Sequence, residues 1–441
     1  MIFKQSLIPV CMIASLLLGA CAHDQVASAA PEPATSVVSD EATARMAALH
    51  DRPEIQAAFA AIEGMQARNN DRLIALTEIA APPFEEQLRA AELARRLTAL
   101  GLSDVSIDAS GNVVARRPGT DGSLTVAVAA HLDTVFPPET DVTVRREGNV
   151  FYAPGIGDNT RGLVTLLAIV EAMETHDIET QADILFIGDV GEEGLGDLRG
   201  VRHLFRDDAS KIDSFIAIDG GDASRLITTA VGSNRYRVTF SGPGGHSYGA
   251  FGRGHPHQAL AEAITRFAEA ATPITRDGTK ATFSVGRIGG GTSINSIPFT
   301  SWMEVDMRSS NPGKLAELDA AFQSAMQEAL EVENERRRRE EALTVAIESV
   351  GKRPAGSSDP TSSLVQNAGA AISLIGLEPQ FSASSTDANI PMSLGIPAIT
   401  ISRGGISKNA HAPNESWEDK DSHLAIQAAL LLLVAEAGPS W

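Results

Sequence analysis

Histidine and carboxylate side chains of the kinds that bind zinc stand at five well-separated positions in this sequence. They are His131, Asp158, Glu193, Asp219 and His411. In hydrolytic sites zinc binds imidazole nitrogens and carboxylate oxygens, and two ions a few ångströms apart share a bridging carboxylate. Two histidines and three acids provide enough donors for such a pair. The residues therefore predict a site for two divalent metal ions, with zinc as the first choice and cobalt or manganese as alternatives.

Most of these residues follow short apolar runs that are typical of buried strands. The pairs of run and site residue are 124–130 with His131, 184–187 with Glu192 and Glu193, and 215–218 with Asp219. Helical patterns lie between the runs, at 160–173 and 201–205. This alternation predicts an α/β fold, a mostly parallel sheet with helices on both faces, whose ligand crevice lies at the carboxyl ends of the strands. We therefore expect the side chains to meet at one edge of the sheet.

Four segments together resemble one enzyme family. They are His131-Leu-Asp-Thr-Val135, Gly155-Ile-Gly-Asp-Asn-Thr-Arg-Gly162, Glu192-Glu193-Gly194 and His411. The pattern is similar to that of the co-catalytic zinc metallopeptidases and amidohydrolases, which include aminoacylase-like, carboxypeptidase G-like and peptidase T-like enzymes. It extends over nearly the whole chain after residue 70. Asn159 departs from the usual second Asp or Lys, which should change the surroundings of the bridging acid rather than the number of ions.

The resemblance implies a role for each residue. One ion would be held by His131, Asp158 and Asp219, and the other by Asp158, Glu193 and His411, with Asp158 bridging. Asp133 would accept the second ring N–H of His131 and so fix its tautomer. Glu192 would be the general base that takes a proton from the attacking water and passes it to the leaving amine.

Each motif taken alone has an ordinary structural explanation. A histidine two residues before an aspartate, as at His131 and Asp133, is more often a hydrogen-bonded loop residue than a ligand, and adjacent glutamates usually form a solvated turn. All the motifs in the family's order, each at a strand end, favour the metal site. The histidines that match no motif are interpreted as surface or packing residues; they are His203, His255, His257 and His423.

The middle of the chain predicts a second folding unit. Strand patterns occur at 236–240, 282–285, 301–306 and 343–349, and helical spacing occurs at 257–271 and 313–331. The resulting β-α-β-β-α-β order is that of an α+β ferredoxin-like domain. By the resemblance this insertion is a lid and homodimerisation domain. We therefore predict a lid at 233–351 between two parts of the catalytic domain, at 49–232 and 352–441.

Three segments of the predicted lid resemble substrate-binding parts of the family. They are Gly242-Pro-Gly-Gly-His246-Ser247, Asn295-Ser-Ile-Pro298 and Asp306-Met-Arg308. His246 would reach the active site of the partner subunit and donate a hydrogen bond to the developing oxyanion. Asn295 and Arg308 would bind the substrate carbonyl or carboxylate. For Arg308, a surface ion pair with a neighbouring acid is the alternative.

The amino terminus resembles a bacterial lipoprotein signal. Lys4 precedes an apolar stretch at 7–18 that is too short to span a bilayer, and Leu18-Gly-Ala-Cys21 resembles a cleavage box. We expect removal of residues 1–20 and lipidation of Cys21, which implies export and a lipid anchor on the periplasmic side of the envelope, at the outer membrane. An ordinary secretory signal is the alternative. Residues 21–48, rich in Ala, Pro and Ser, predict a flexible tether.

Composition bounds the remaining possibilities. Hydrophobic residues make up 43% and charged residues 21% of the 441 residues, as in ordinary folded proteins, and the formal net charge is −20. Such acidity argues against nucleic-acid partners. The arginine run at 336–339 is flanked by acids, so we interpret it as the solvated end of a lid helix. Cleavage before Cys21 would leave one cysteine and exclude an internal disulfide.

The substrate class is predicted from the resemblance at Asp219. An Asp at this position, here in Ile218-Asp219-Gly-Gly221, is similar to the peptidase T-like branch, whereas carboxypeptidases and deacylases tend to have Glu. This predicts a dimeric two-metal exopeptidase that cleaves short peptides from the amino end. A carboxypeptidase or N-acyl-amino-acid amidohydrolase is the alternative. A non-catalytic envelope binding protein is a third hypothesis, and the presence of Glu192 argues against it.

Overall fold

The computed structural model describes residues 38–440 except residues 208, 210 and 340. The helices are α1 (Asp40–His50), α2 (Pro53–Gly64), α3 (Gln66–Thr77), α4 (Gln87–Ala99), α5 (Gly162–Thr175), α6 (Arg199–Leu204), α7 (Pro256–Arg276), α8 (Pro312–Arg336), α9 (Ser363–Leu374), α10 (Asn389–Ser393) and α11 (Ser422–Ala437). Two irregular helical turns, Ile156–Arg161 and Gly194–Gly196, carry site residues or border them.

The strands form a large central sheet, a separate lid sheet and two small sheets. They are β1 (Asp104–Ile107), β2 (Val113–Arg117), β3 (Thr125–His131), β4 (Arg145–Glu147), β5 (Val150–Tyr152), β6 (Asp183–Asp189), β7 (Ser214–Ile218), β8 (Arg225–Ala230), β9 (Gly232–Ser241), β10 (Gly245–His246), β11 (Ala281–Gly290), β12 (Ser296–Ile297), β13 (Thr300–Ser309), β14 (Thr344–Arg353), β15 (Gly356–Ser357), β16 (Gln380–Ser384), β17 (Ala398–Ile401), β18 (Ile406–Lys408) and β19 (Ser416–Glu418).

The central sheet has the order β1-β2-β6-β3-β7-β17-β8-β15, with β16 beside β8. Its middle strands β6, β3, β7 and β17 are parallel neighbours, while β2 and β8 join them antiparallel. This confirms the predicted α/β architecture with a mostly parallel core. Because the strands β3, β6 and β7 are separated in sequence by helices, their carboxyl ends lie together at one edge of the sheet.

Burial on both faces explains why the strand sequences are almost continuously apolar. In β3, Val126 and Val128 pack into the cluster that contains α5 and α11, while Ala127 and Ala129 pack into the cluster on the opposite face that contains α6. Successive side chains of a strand point to opposite faces. Helix α11 is apolar nearly all around and correspondingly buried along most of its length. The helices therefore hold the sheet rigidly from both sides.

The inserted lid is ferredoxin-like, as predicted. Its elements follow the order β9-α7-β11-β13-α8-β14, and its antiparallel sheet has the spatial order β11-β13-β9-β14. Helices α7 and α8 cover one face of this sheet, where the Phe322 ring stacks on Tyr236 at 5.0 Å and meets Phe267 edge-on at 5.4 Å between centroids. The lid sheet spans residues 232–353, so β14 extends four residues beyond the predicted strand end.

The amino-terminal part of the described chain differs from the predicted tether. Residues 40–48, which composition assigned to the tether at 21–48, belong to helix α1. The Ala-rich composition conceals a helical face, because Ala42, Met46 and Leu49 are buried, and the Arg45 side chain donates to Asn367 Oδ1 at 2.6 Å. The signal at 1–20, Cys21 and residues 22–37 lie outside the described residues. Among the described helices, none is both long and apolar enough to cross a membrane.

The residues set aside in the sequence take ordinary structural positions. His257 shares a hydrogen bond of 2.7 Å with Ser301 Oγ, and His203 lies 3.7 Å from a carboxylate oxygen of Asp108. Helix α8 ends at Arg336, whose guanidinium lies 3.3 Å from Glu262. The arginine run therefore lies at the end of a lid helix with Arg336 exposed, as the sequence predicts.

Candidate active site

The predicted ligands come together at the carboxyl edge of the central sheet. His131 is the last residue of β3, and Glu193 and Asp219 follow β6 and β7. Asp158 lies on the turn before α5, and His411 lies between β18 and β19 after the last parallel strand, β17. Since β6, β3, β7 and β17 are adjacent, the loops that follow them open onto the same space.

The donor atoms form two overlapping groups with Asp158 in both. Within the group of His131, Asp158 and Asp219, and within the group of Asp158, Glu193 and His411, the ligand atoms lie within 4.8 Å of one another. His131 Nε2 is 3.4 Å from Asp158 Oδ1, and His411 Nε2 is 3.4 Å from Asp158 Oδ2. The two oxygens of one carboxylate thus face different histidines, which is the arrangement that a bridging ligand requires.

The state of His131 tests whether these residues fit a metal ion. Its Nε2 is buried and makes no hydrogen bond to any described residue, whereas its Nδ1 lies 3.0 Å from the carbonyl oxygen of Asp133. A ring that donates from Nδ1 presents the Nε2 lone pair to the cluster, as metal-binding histidines do. Two histidine nitrogens and three carboxylates in this geometry fit a pair of divalent ions.

Asp133 acts differently from the sequence prediction. Its backbone carbonyl, rather than its carboxylate, is the hydrogen-bond acceptor for His131, and the carboxylate oxygen is farther from Nδ1, at 3.6 Å. The carboxylate instead accepts the backbone N–H groups of Glu192 at 3.0 Å and Glu193 at 2.8 Å. Asp133 therefore orients the histidine through its main chain and the loop of the two glutamates through its side chain.

A buried ion pair with Arg353 holds the carboxylate of Glu192. The Glu192 Oε1 atom accepts a hydrogen bond of 2.7 Å from Arg353 Nη1, and both side chains are buried. Burial raises the pKa of Glu192 well above its usual range; Arg353 opposes this shift and Glu193 adds to it. Glu192 also lies in a group with His131 and Glu193. Glu192 thus lies within 4.8 Å of donor atoms of His131 and Glu193, while Arg353 holds its Oε1 atom.

Arg403 stabilises the negative charge at the other side of the cluster. Its Nη1 donates to Asp158 Oδ1 at 2.9 Å and to Asp219 Oδ1 at 3.0 Å. Burial alone would raise the pKa of Asp158, but Arg403 and the two histidines hold it well below its usual range. Burial and the neighbouring Asp158 raise the pKa of Asp219.

Glu415 supports the turn that carries Asp158. Its buried carboxylate accepts the backbone N–H groups of Gly155 at 2.8 Å, Gly157 at 2.9 Å and Asp158 at 2.9 Å. Asn159, the departure from the family pattern, is joined to Asp158 by a cis peptide bond and donates from Nδ2 to the Ile218 carbonyl at 2.8 Å. It therefore ties the turn to the end of β7.

Sequence reasoning missed Arg353, Arg403 and Glu415. Arg403 follows the apolar strand β17 just as the predicted ligands follow theirs, so its position was a usable signal. Arg353 and Glu415 gave no such signal, because their partners lie 161 and about 260 positions away in the sequence.

The lid residues divide into two groups. Arg308 lines the cavity above the donors, which has a volume of about 750 Å³, and its Nε donates to Asp306 at 2.7 Å. The ion pair given as the alternative is therefore present, and substrate binding by Arg308 stays a prediction. His246 and Asn295 lie together on the hairpin of β10 and β12, where the Ser247 N–H donates to the Asn295 carbonyl at 2.9 Å. Neither lines this cavity.

The whole-sequence pattern identifies the family. The sequence model described as peptidase family M20/M25/M40 matches residues 127–437. This chain belongs to that family. Members generally bind two divalent metals, which agrees with the donor groups around Asp158. The M20 chain is a metal-dependent hydrolase, and the hypothesis of a non-catalytic binding protein is wrong.

Individual relatives are distant. The Bacillus subtilis protein YqjE, described as uncharacterized, is 24% identical to this M20 chain over 322 residues, which cover 71% of the chain and 81% of YqjE. Among solved structures, aminopeptidase PepT from Bacillus cereus has a TM-score of 0.67 at 21% identity, covering 84% of this chain and 98% of PepT. Human carnosine dipeptidase 1 has a TM-score of 0.64 at 14% identity, covering 87% and 99%. These similarities confirm the fold.

Metal uptake should release protons from the two histidines. Hydrogen bonds to Asp158 and Glu193 raise the pKa of His411 to about 10, and despite its burial, Asp133 and Asp158 raise the pKa of His131 well above its usual value. His411 is therefore protonated in the metal-free protein at pH 7 and must lose a proton to bind an ion through its ring, and the raised pKa of His131 favours the same release. Calorimetric titration with Zn²⁺ in two buffers of different ionisation enthalpy should show release of about one proton or more at pH 7, with His411 as the main source.

A His423→Ala variant is the control, because His423 lies outside the donor groups and should leave the proton release unchanged. Identical heats in the two buffers, meaning no proton release at pH 7, would contradict the assignment of these histidines as ligands.

Proposed function

We propose that this chain is a two-metal exopeptidase that hydrolyses short peptides from their amino ends, with zinc as its metal. The observation that carries the proposal is the buried Glu192 carboxylate, held by Arg353 beside two donor groups that share Asp158. When bound, the ions would make a water molecule acidic and polarise the substrate carbonyl. The solved structures with the same fold include proteins named as an aminopeptidase, a tripeptidase and a dipeptidase.

The chain's own residues would perform the proton transfers. Glu192 would accept a proton from the attacking water and deliver it to the leaving amine, because its raised pKa makes the carboxylate a better base than an exposed glutamate. Arg353 holds Oε1 in place during both transfers. Arg308, at the lid side of the cavity, is placed to bind a substrate carbonyl or carboxylate.

The amino-terminal specificity is tested with three substrates on the zinc-loaded or cobalt-loaded protein. A free tripeptide should be cleaved fastest, and an N-blocked peptide and an N-acyl amino acid should be poor substrates. The carboxypeptidase or amidohydrolase alternative is supported by the arginines in the cavity, which suit a substrate carboxylate. Preferred cleavage of the blocked compounds would decide for that alternative.

Two variants should distinguish the role of Glu192 as general base from the role of Asp158 as metal ligand. Glu192→Gln should lower kcat by about two to four orders of magnitude while both ions stay bound, since it removes the base and no ligand. Asp158→Ala should lose metal as well as activity, because both donor groups need this residue. Elemental analysis and initial rates measure the two effects.

Glu304→Gln, a lid carboxylate that pairs with Arg237 and Arg287, is the control and should keep both metal and rate. A Glu192→Gln protein with most of the wild-type rate would show that another group is the base.

We propose further that the enzyme is a homodimer in which His246 completes the active site of the other protomer. The supporting observation is that His246 is exposed on a hairpin and does not line its own cavity, while Tyr248 and Phe251 beside it are also exposed. Gly244 and Gly245 have φ of 62° and 136°, a backbone that allows the tight turn presenting the imidazole.

Mixing two inactive variants tests this arrangement. His246→Ala alone should lower kcat by about two to three orders of magnitude. Because each site would take Glu192 from one protomer and His246 from the other, refolding His246→Ala with Glu192→Gln in equal amounts should restore about a quarter of the wild-type activity, as expected for random pairing in a symmetric dimer. A mixture with no more activity than its components would place His246 outside the partner's site.

We also propose that the enzyme is exported and lipid-anchored through Cys21 at the periplasmic face of the envelope, where it would hydrolyse short peptides. The support is the sequence pattern at Leu18-Gly-Ala-Cys21. Fractionation of cells with wild-type protein and with Cys21→Ser tests it, because equal membrane association of both proteins would contradict the anchor.

A further inference from the structure

The wall of the active-site cavity carries an excess of positive charge once metal ions are bound. Among the described residues, five arginines and five acids line the cavity. The arginines are Arg225, Arg235, Arg308, Arg353 and Arg403, and the acids are Asp158, Glu192, Glu193, Asp219 and Asp306. Two divalent ions would therefore make the cavity strongly cationic, although the whole chain has a net charge of −20. Such a cavity attracts an anionic substrate.

Four of the five arginines are committed to carboxylates of the protein. Arg353 binds Glu192 at 2.7 Å, and Arg403 binds Asp158 and Asp219. Arg235 and Arg308 share the single carboxylate of Asp306, at 3.0 Å and 2.7 Å. These pairs leave the guanidinium groups oriented but largely neutralised.

Arg225 differs from the other four because no acid among the described residues pairs with it. It is the first residue of β8, and its Nε donates to Ser382 Oγ at 3.2 Å on the neighbouring strand β16. The closest acid in sequence, Asp222, accepts hydrogen bonds from the N–H and hydroxyl of Ser224 instead. Arg225 is half-buried and lines the cavity, so part of its side chain is open to a bound substrate.

The geometry suits recognition of a carboxylate. A guanidinium fixed through Nε by a strand residue still offers both terminal nitrogens, which match the two oxygens of a carboxylate in a bidentate pair. The hydroxyl-bearing residues Ser384 and Ser385, at and after the end of β16, line the same cavity. The rigid central sheet carries Arg225, whereas the lid carries Arg308, so the two arginines lie on different walls.

We propose that Arg225 binds a carboxylate of the substrate, so that peptides with an acidic group at the matching position are preferred. The proposal rests on the proposed peptidase function. The carboxylate has two sources in a peptide, an acidic side chain or the free carboxyl terminus, and both present the same planar pair of oxygens. In either case the arginine is a specificity-determining residue and not a participant in the chemical step.

The test measures binding and turnover on a matched set of tripeptides. The set contains trialanine, its carboxyl-terminal amide, and peptides with Glu or the neutral isostere Gln at each position in turn. Binding is measured by calorimetry on metal-loaded Glu192→Gln protein, which prevents turnover, with and without Arg225→Gln. Rates are measured on metal-loaded protein that keeps Glu192. Arg276→Gln is the control, because Arg276 is exposed at the end of α7 and does not line the cavity.

We expect one acidic peptide to bind about ten- to a hundredfold more tightly than its neutral counterpart, the effect of one charge-assisted hydrogen-bonding pair. Arg225→Gln should remove this difference and leave the affinity for the neutral peptide within about twofold, and Arg276→Gln should change neither. Loss of the Glu-over-Gln preference identifies a side-chain carboxylate, and loss of the acid-over-amide preference identifies the carboxyl terminus.

Equal binding of acidic and neutral peptides by the protein with Arg225 intact, or a preference that survives Arg225→Gln, would overturn the proposal. The first comparison needs no Arg225 variant and stays decisive if Arg225→Gln fails to fold; Arg225→Lys, which keeps the charge but loses the fork, then shows a reduced preference. Failure of the peptidase function is a separate result, because it would appear as absence of turnover of every peptide while the binding preference could still be measured.

Discussion

Repulsion among buried carboxylates is the constraint on which this active site depends. Asp158, Glu193 and Asp219 lie within the two donor groups, and Glu192 lies beside them. At a separation of 4 Å, two like charges repel by about 4 kcal/mol at the effective dielectric constant typical of proteins. The fold offsets this repulsion in part with Arg403, which touches two of the acids, and with Arg353, which touches a third. Arg403 in this way helps to hold the pKa of the shared Asp158 carboxylate below its usual range.

Buried carboxylates also position the loops of the site. Asp133 and Glu415 are buried acids whose carboxylates accept backbone N–H groups, two from the loop of Glu192 and Glu193 and three from the turn of Asp158. Charge-assisted hydrogen bonds of this kind are stronger than neutral ones. The loops that carry the ligands are consequently fixed by the protein's own groups, and the rigid sheet beneath them fixes where those loops begin.

The sequence was sufficient for the fold and for the positions of the donors, and the reasons are physical. Strands β3, β6 and β7 are buried on both faces, so their apolar runs stand out, and their ends are marked by His131, Glu192 and Asp219. The lid could also be predicted, because apolar and polar residues alternate along its strands. Less visible were the groups that act over long sequence separations, such as Arg353 on Glu192 and Glu415 on Asp158, since composition and spacing carry no trace of such contacts.

Local signals also misled in two places. The Ala-rich segment at 40–48 reads as a tether, yet Met46 and Leu49 fold against the helical layer that includes α9. The pair His131 and Asp133 suggests a carboxylate–imidazole hydrogen bond, yet the peptide carbonyl takes that role and frees the carboxylate for the neighbouring loop. In both cases tertiary contacts decided between alternatives that are equivalent in the sequence.

Arg353 is the last residue of β14, the strand by which the chain leaves the lid. Its guanidinium donates hydrogen bonds to both Glu192 and Ser385. One side chain thus connects the end of the lid sheet with Glu192 in the cavity. Any change in the direction of β14 at its end would therefore also move the side chain that holds Glu192.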